Sequence, residues 1–159
     1  MKLHLLRHAK TQVAASSIRD FDRKLLPKGI AQSDAMGDFL KLNVGIDIPV
    51  FCSASTRTRQ TLGIIQEKVP FRHAVFTDVL YHASLNTLLD FVWSVEGKTD
   101  FMIVGHNEGI SELATYFTDK FISLKTCSYI CIEFDADSWE ETSKGLGTEV
   151  DAFRPEVKG

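Results

Sequence analysis

The sequence predicts an α/β fold, in which residues 1–159 form a single three-layer αβα domain with a mostly parallel central sheet. Short apolar runs of strand type alternate along the chain with longer segments whose apolar residues recur at helical spacing. Such alternation is typical of parallel sheets covered by helices on both faces. The 159 residues, 44% hydrophobic and 25% charged, match one ordinary globular domain that buries its own core.

The first half of the chain contains two predicted strand–helix pairs. Lys2 to Leu6 is a short apolar run and predicts the first strand. Pro27 to about Leu42 predicts a helix, because its apolar residues recur at helical spacing and proline is tolerated in a first turn. Ile48 to Cys52 predicts the second strand, and the segment STRTRQTLGIIQEK after it predicts a helix with Leu62 and Ile65 on one face.

The middle of the chain repeats this order. His73 to Thr77 predicts a third strand. Ser84 is a typical N-cap residue, and Leu85, Leu88 and Val92 after it share one face of the predicted helix. Phe101 to Val104 is a compact apolar run of the type found in buried parallel strands.

The last third begins with a helix that we expect Asn107 to cap, since Ile110 and Leu113 then lie on one face. Tyr129 to Phe134 predicts a late strand. The tail to Gly159 predicts irregular structure or a final edge strand.

Charge and hydropathy exclude several function classes. The formal net charge is −3, from 18 Lys and Arg against 21 Asp and Glu, whereas nucleic-acid-binding domains usually carry a basic surplus. Every apolar run is far shorter than the roughly 18 residues of a membrane span. The N-terminus MKLHLLRHAK places charges where an export signal needs an apolar core. We therefore expect a soluble cytoplasmic protein without nucleic-acid or membrane partners.

Cationic side chains follow three of the predicted strands. Arg7 and His8 end the first strand, Arg57 follows the second, and His106 ends the fourth. Because ligands of parallel sheets bind beyond the carboxyl ends of the strands, we expect these four side chains to meet at one edge. Guanidinium groups suit an oxyanion such as phosphate, and a neutral histidine beside it can donate a hydrogen bond or attack phosphorus.

Several motifs resemble a known family. LRHAKT, SASTRTRQT and VGHNEGISELA are similar, in this order, to the three motifs of the histidine phosphatase superfamily. The finer resemblance is to SixA-type phosphohistidine phosphatases: Ala9 stands in RHA where many relatives have RHG, DFDRKLLPKG fits a D-x-x-R-x-L stretch, and LYHAS is a further common feature. The resemblance covers about residues 2 to 134 and implies a phosphoglycerate mutase-like fold.

The resemblance also implies a role for each matching residue. His8 would be the nucleophile and carry a phosphohistidine intermediate. Arg7 and Arg57 would clamp the phosphoryl group, and His106 would donate a hydrogen bond that stabilises the transition state. Further contacts to phosphate or substrate are expected from Arg23, Lys10, Thr11 and Asn107.

The chain lacks the glutamate that many relatives with alcohol leaving groups use as a general acid. His82, within LYHAS, stands at the similar place, and Asp78 is a nearby carboxylate. Either of the two is a candidate acid. An alkoxide leaving group needs a proton, whereas the P–N bond of phosphohistidine breaks more easily. The missing glutamate therefore favours phosphohistidine over a sugar phosphate.

The expected function is that of a phosphatase without metal or cofactor, because the arginines already offset the phosphoryl charge. No cap insertion separates the motifs, so the open site favours a phosphoprotein such as a histidine phosphotransfer domain. The spacing of His4 and His8 does not suit a shared metal, since four residues of strand separate them by about 13 Å. The alternatives are a phosphatase or mutase acting on a small phosphate ester, and a non-catalytic phosphate-binding module.

Overall fold

The computed structural model describes residues 1–158 and shows six strands and four α-helices, which alternate until the last two strands follow one another. The strands are β1 (Lys2–Arg7), β2 (Val50–Ser53), β3 (Ala74–Thr77), β4 (Phe101–Gly105), β5 (Tyr129–Phe134) and β6 (Gly147–Phe153). The helices are α1 (Pro27–Asn43), α2 (Thr56–Gln66), α3 (Leu85–Ser94) and α4 (Gly109–Thr118). The predicted elements are confirmed, and the tail contributes the edge strand β6. Among residues 1–158, every helix is too short or too polar to cross a lipid bilayer.

The strands form one sheet in the order β3-β2-β4-β1-β5-β6. β1 pairs in parallel with β4, and β2 pairs in parallel with both β3 and β4. β5 is antiparallel to β1 and to β6, so it alone runs opposite to the other strands. The expected mostly parallel sheet is therefore confirmed, with β1, β2 and β4 ending side by side at one edge.

Two hydrophobic cores lie on opposite faces of the sheet, as alternation along the strands dictates. On β4, Phe101 and Ile103 face the core shared with α3 and α4. Met102 and Val104 face the other core, which contains buried side chains of α1 and α2. The expected three-layer αβα architecture follows from this division.

Two glycines hold helices against the loops that carry the motif residues. A Cβ on Gly29, in the first turn of α1, would lie 2.1 Å from the carbonyl oxygen of Lys10, so only glycine allows this contact. Gly109 begins α4, and a Cβ there would lie 2.1 Å from the carbonyl oxygen of Ala83. The segments after β1 and before α3 are thereby fixed by direct backbone packing.

One local expectation was wrong. Asn107 does not cap α4: the helix begins at Gly109 after Glu108, and the Asn107 side chain instead bonds the Leu124 carbonyl and the Ser111 hydroxyl. The contact with Leu124 is remote in sequence, and local patterns do not encode such contacts.

Candidate active site

A cavity of about 280 Å³ lies at the carboxyl ends of β1, β2 and β4. Within residues 1–158, its lining contains four cationic side chains and no carboxylate. Such a lining favours an anion. The lining residues are Arg7, His8, Lys10, Thr11, Gln12, Val13, Ala14, Arg23, Arg57, His82, His106, Asn107 and Thr126.

His8 follows β1 directly and is held as a neutral imidazole. Its Nδ1 lies 2.8 Å from the carbonyl oxygen of Ala9, and because a carbonyl only accepts, Nδ1 carries the proton. The Nε2 lone pair is then free to act as a nucleophile. Burial above all, together with the charges of Arg57 and Arg7, lowers the pKa of His8 to about 3, against the opposing effect of the hydrogen bond to Ala9.

His106 lies beside His8 at the end of β4. The two ring centroids are 5.3 Å apart, and the side chain of His106 is almost completely buried. Its Nε2 lies 2.7 Å from the hydroxyl of Ser53, the last residue of β2. Burial lowers the pKa of His106 to about 2, and the charge of Arg57 acts in the same direction. Both histidines are therefore neutral at physiological pH.

Three buried nitrogens lack a hydrogen-bond partner among residues 1–158: Nε of Arg7, Nε of Arg57 and Nδ1 of His106. All three belong to side chains that line the cavity. A buried polar atom left unpaired costs roughly 1–3 kcal/mol, so native structures rarely leave three together. An oxyanion in the cavity would satisfy them.

Asp20 organises the cationic side of the site. Its Oδ1 accepts from Nε of Arg23 at 3.0 Å, and its Oδ2 accepts from Nη2 of Arg57 at 3.0 Å. Oδ2 also accepts from the hydroxyl of Tyr81 at 2.5 Å and lies 2.7 Å from Nε2 of His82. Burial acts to raise the pKa of Asp20, but these hydrogen bonds outweigh it and hold the pKa well below its usual range.

Arg57 is only 1% exposed and is oriented by this contact. Its Nη1 donates to the backbone carbonyl of Asp20 at 2.6 Å, in addition to the bond from Nη2. Both terminal nitrogens of the guanidinium thus donate to Asp20, while Nε is left to donate to a ligand. Arg7 is held similarly, because its Nη1 donates to the carbonyl of Leu124 at 2.9 Å.

Comparison with known protein sequences agrees with the geometry of the site. Residues 3–80 match the sequence profile of the histidine phosphatase superfamily, branch 1. An uncharacterised protein of Mycobacterium tuberculosis, Rv1276c, is 36% identical over 110 residues, which cover 69% of this chain and 67% of that protein. The chain belongs to the histidine phosphatase superfamily. Membership in this superfamily supports phosphatase activity.

Solved structures show the same fold. A protein from Nakamurella multipartitia assigned as the phosphohistidine phosphatase SixA superposes with a TM-score of 0.84 at 22% identity, covering 98% of this chain and 96% of that one. The structure of the protein histidine phosphatase SixA complexed with tungstate gives 0.79 at 18% identity, covering 97% of each chain. Phosphoglycerate mutase from Plasmodium falciparum superposes with a TM-score of 0.63 at 15% identity, covering 99% of this chain and 96% of that one, so the expected phosphoglycerate mutase-like fold is confirmed.

The remaining residues expected from the superfamily motifs are divided between the cavity and its frame. Arg23, Lys10, Thr11 and Asn107 all line the cavity. The guanidinium of Arg23 donates hydrogen bonds to Asp20, Thr11 and the Gln12 carbonyl. The side-chain amide of Asn107 donates one to the Leu124 carbonyl. Both are thus braced by protein contacts, whereas the side chain of Lys10 is exposed.

The two candidate acids differ in position. His82 lines the cavity and has a φ of 46°, a left-handed conformation that directs its ring beside His106, 5.0 Å between centroids. Asp78 is exposed, begins a short 3₁₀ turn and does not line the cavity. Of these two candidates, His82 therefore lies at the cavity and Asp78 does not.

Sequence reasoning missed the roles of Asp20, Tyr81 and Ser53. Asp20 and Tyr81 stand inside the quoted stretches DFDRKLLPKG and LYHAS, but their contact spans 61 residues and no local pattern reveals it. Ser53 opens the motif SASTRTRQT, and its position at the end of β2 was the available signal for contact with His106.

Proposed function

We propose that this protein is a metal-independent phosphatase that hydrolyses phosphohistidine on another protein through a phosphohistidine intermediate at His8. The observation that carries the proposal is the set of three buried nitrogens of Arg7, Arg57 and His106 around the cavity, which find no hydrogen-bond partner within residues 1–158. A phosphoryl group supplies the acceptors these nitrogens lack. The similarly folded SixA structure with tungstate supports the proposal, because tungstate is also a tetrahedral oxyanion.

In the first step, Nε2 of His8 attacks phosphorus and forms a new P–N bond. The P–N bond to the substrate breaks, and its electron pair stays on the leaving imidazole nitrogen. Nδ1 of His8 keeps its proton and donates it in a hydrogen bond to the Ala9 carbonyl, which stabilises the positive charge that the ring acquires. In the second step, water attacks the phosphohistidine, inorganic phosphate leaves and His8 returns to its neutral form.

Hydrogen-bond donors that are already in position stabilise the negative charge that spreads over the phosphoryl oxygens. Arg7 and Arg57 are fixed by the Leu124 carbonyl and by Asp20, so little reorganisation is needed. Nε2 of His106 lies 2.7 Å from the hydroxyl of Ser53, and when that hydroxyl is the donor, the His106 proton is on Nδ1 and is available to the phosphoryl group. These groups perform the electrostatic role that metal ions have in other phosphoryl transfer sites.

The residue at position 82 indicates which leaving group the site suits. A carboxylic acid would deliver a proton to an alkoxide, but the cavity holds His82, hydrogen-bonded to Asp20 at 2.7 Å. An imidazole leaving group that is already protonated on its other nitrogen departs as a neutral ring and needs no strong acid. This favours phosphohistidine over a phosphate ester. The open cavity mouth, with Val13 exposed at its rim, favours a substrate carried on a protein surface.

A paired turnover assay tests the proposal. A histidine phosphotransfer domain phosphorylated with phosphoramidate is compared with p-nitrophenyl phosphate and a panel of phosphate monoesters, with and without EDTA. We expect fast phosphate release from the phosphorylated domain, slow ester hydrolysis and no effect of EDTA. A requirement for metal would contradict the proposed electrostatics.

The other outcomes distinguish the alternatives. Fast ester hydrolysis with an inert phosphorylated domain would identify a small-molecule phosphatase in which His82 supplies the proton. Phosphate binding without turnover of any substrate would identify a non-catalytic phosphate-binding module.

A further inference from the structure

A second concave surface adjoins the active site. It is a groove of about 530 Å³ between α4, the start of α3 and residues 121–123, within the size range of ligand sites. Asn107 lines both this groove and the catalytic cavity, so the two lie side by side. We call it the α4 groove.

The wall of the α4 groove is preformed. The backbone N–H of Ile122 donates to the hydroxyl of Thr115, and the N–H of Leu124 donates to the hydroxyl of Ser111. These bonds hold the segment after α4 against the helix. The carbonyl of Leu124 in turn accepts from Arg7 and from Asn107. A ligand in the groove therefore packs on the segment that orients a phosphate-binding arginine.

The groove presents an unpaired aromatic side chain. Phe121 is 90% exposed, whereas a buried phenylalanine gains about 1.5–3 kcal/mol from leaving water. Aromatic side chains of this kind are typical anchors of protein interfaces. Glu108 and Glu112 are the charged residues of the lining, while Lys120 and Lys125 lie outside it. The groove is thus apolar with an acidic margin.

We propose that the α4 groove docks the phosphohistidine-bearing protein through an apolar side chain flanked by lysine or arginine. This inference rests on the proposed function. The catalytic cavity, at about 280 Å³, holds a phosphoryl group and the ring that carries it, so the rest of a protein substrate must lie on the adjoining surface. The α4 groove provides that surface, and its two carboxylates complement a basic side chain.

Kinetics on two substrates with the same reacting bond test the proposal. The first is the phosphorylated histidine phosphotransfer domain and the second is free phosphohistidine, which does not reach the groove. Phe121→Ser is expected to raise KM for the phosphorylated domain about tenfold, as loss of an aromatic anchor does. It leaves kcat/KM for free phosphohistidine unchanged. Leu42→Ser is the matched control, because Leu42 is 84% exposed at the far end of α1.

The expected attraction between the carboxylates of the groove and a basic side chain of the partner is tested with Glu112→Gln. The control is Glu67→Gln, because Glu67 is also exposed. We expect KM for the phosphorylated domain to rise about threefold with Glu112→Gln at low salt, and this difference to vanish at high salt. Glu67→Gln leaves KM unchanged.

Two results would overturn the docking site while the proposed function stands. One is a wild-type KM for the phosphorylated domain in Phe121→Ser, and the other is an equal loss on both substrates. If the wild-type protein releases no phosphate from the domain while hydrolysing esters, the proposed function fails and the docking site with it.

Discussion

Mild acid is expected to destabilise this protein, because three buried histidines must take up protons when the chain unfolds. Burial lowers the pKa of His4 to about 4, that of His8 to about 3 and that of His106 to about 2. In the unfolded chain each has a pKa near the ordinary 6.5. Between these values the unfolded chain binds more protons than the folded one, so stability is full above about pH 6.5 and is lost as the pH falls.

The size of the stability loss follows from how far the pH lies below the pKa of histidine in the unfolded chain. At pH 5 each histidine costs about 2 kcal/mol relative to pH 8, because one pKa unit corresponds to about 1.4 kcal/mol. Together the three cost about 6 kcal/mol, a large part of the 5–15 kcal/mol typical of a domain. Asp20 does not add to this loss, since its lowered pKa acts only below the ordinary range of carboxyl groups.

The assay is urea unfolding at pH 8 and pH 5, followed by the fluorescence of the buried Trp139. In His4→Gln, the difference between the two pH values should shrink by about 2 kcal/mol, because one of the three histidines is gone. The exposed His73→Gln is the control and should leave the difference unchanged. A wild-type difference below about 2 kcal/mol, or equal differences in both variants, would refute the reasoning.

Three further predictions concern the site. His8→Asn should lower kcat at least about 10³-fold in the phosphatase assay while leaving urea unfolding at pH 8 unchanged, because it removes the nucleophile. Asp20→Asn should lower kcat about tenfold without raising KM, because Arg57 loses the carboxylate contact and keeps only its bond to the Asp20 backbone carbonyl, while a negative charge near the anion is removed. Gly29→Ala should cost about 1–3 kcal/mol of unfolding free energy, because its Cβ would collide with the Lys10 carbonyl.

Two of these predictions have a matched control variant. Gly63→Ala in α2 meets nothing within 4 Å and should stabilise the protein slightly, so equal effects of the two alanines would contradict the packing argument. An Asp22→Asn variant removes a neighbouring carboxylate that pairs with Arg19 instead, and it should leave kcat unchanged. If it matches Asp20→Asn, the positioning role is wrong. Appreciable turnover by His8→Asn would remove His8 as nucleophile.

The sequence predicted the meeting of Arg7, His8, Arg57 and His106 because strand polarity alone decides it. Each residue follows a strand, and parallel strands place their carboxyl ends at one edge. The reasoning therefore needed only the alternation of elements and not the packing between them.

The environment of those residues could not be predicted in the same way. Asp20 reaches Tyr81 and His82 across about 60 residues, and this contact depends on how two loops pack. The side chain of Asn107 donates a hydrogen bond to the Leu124 carbonyl instead of capping α4. This contact depends on tertiary packing. The exposure of Phe121 likewise depends on where the segment after α4 lies.

The most direct test of the covalent mechanism is to trap the phosphoenzyme. The protein is mixed with excess phosphorylated histidine phosphotransfer domain, quenched in alkali within the first turnover, and mapped by mass spectrometry of its peptides. We predict one phosphoryl group, on the peptide that contains His8, and none in His8→Asn. A phosphoryl group on another residue, or phosphate release by His8→Asn at the wild-type rate, would contradict the account.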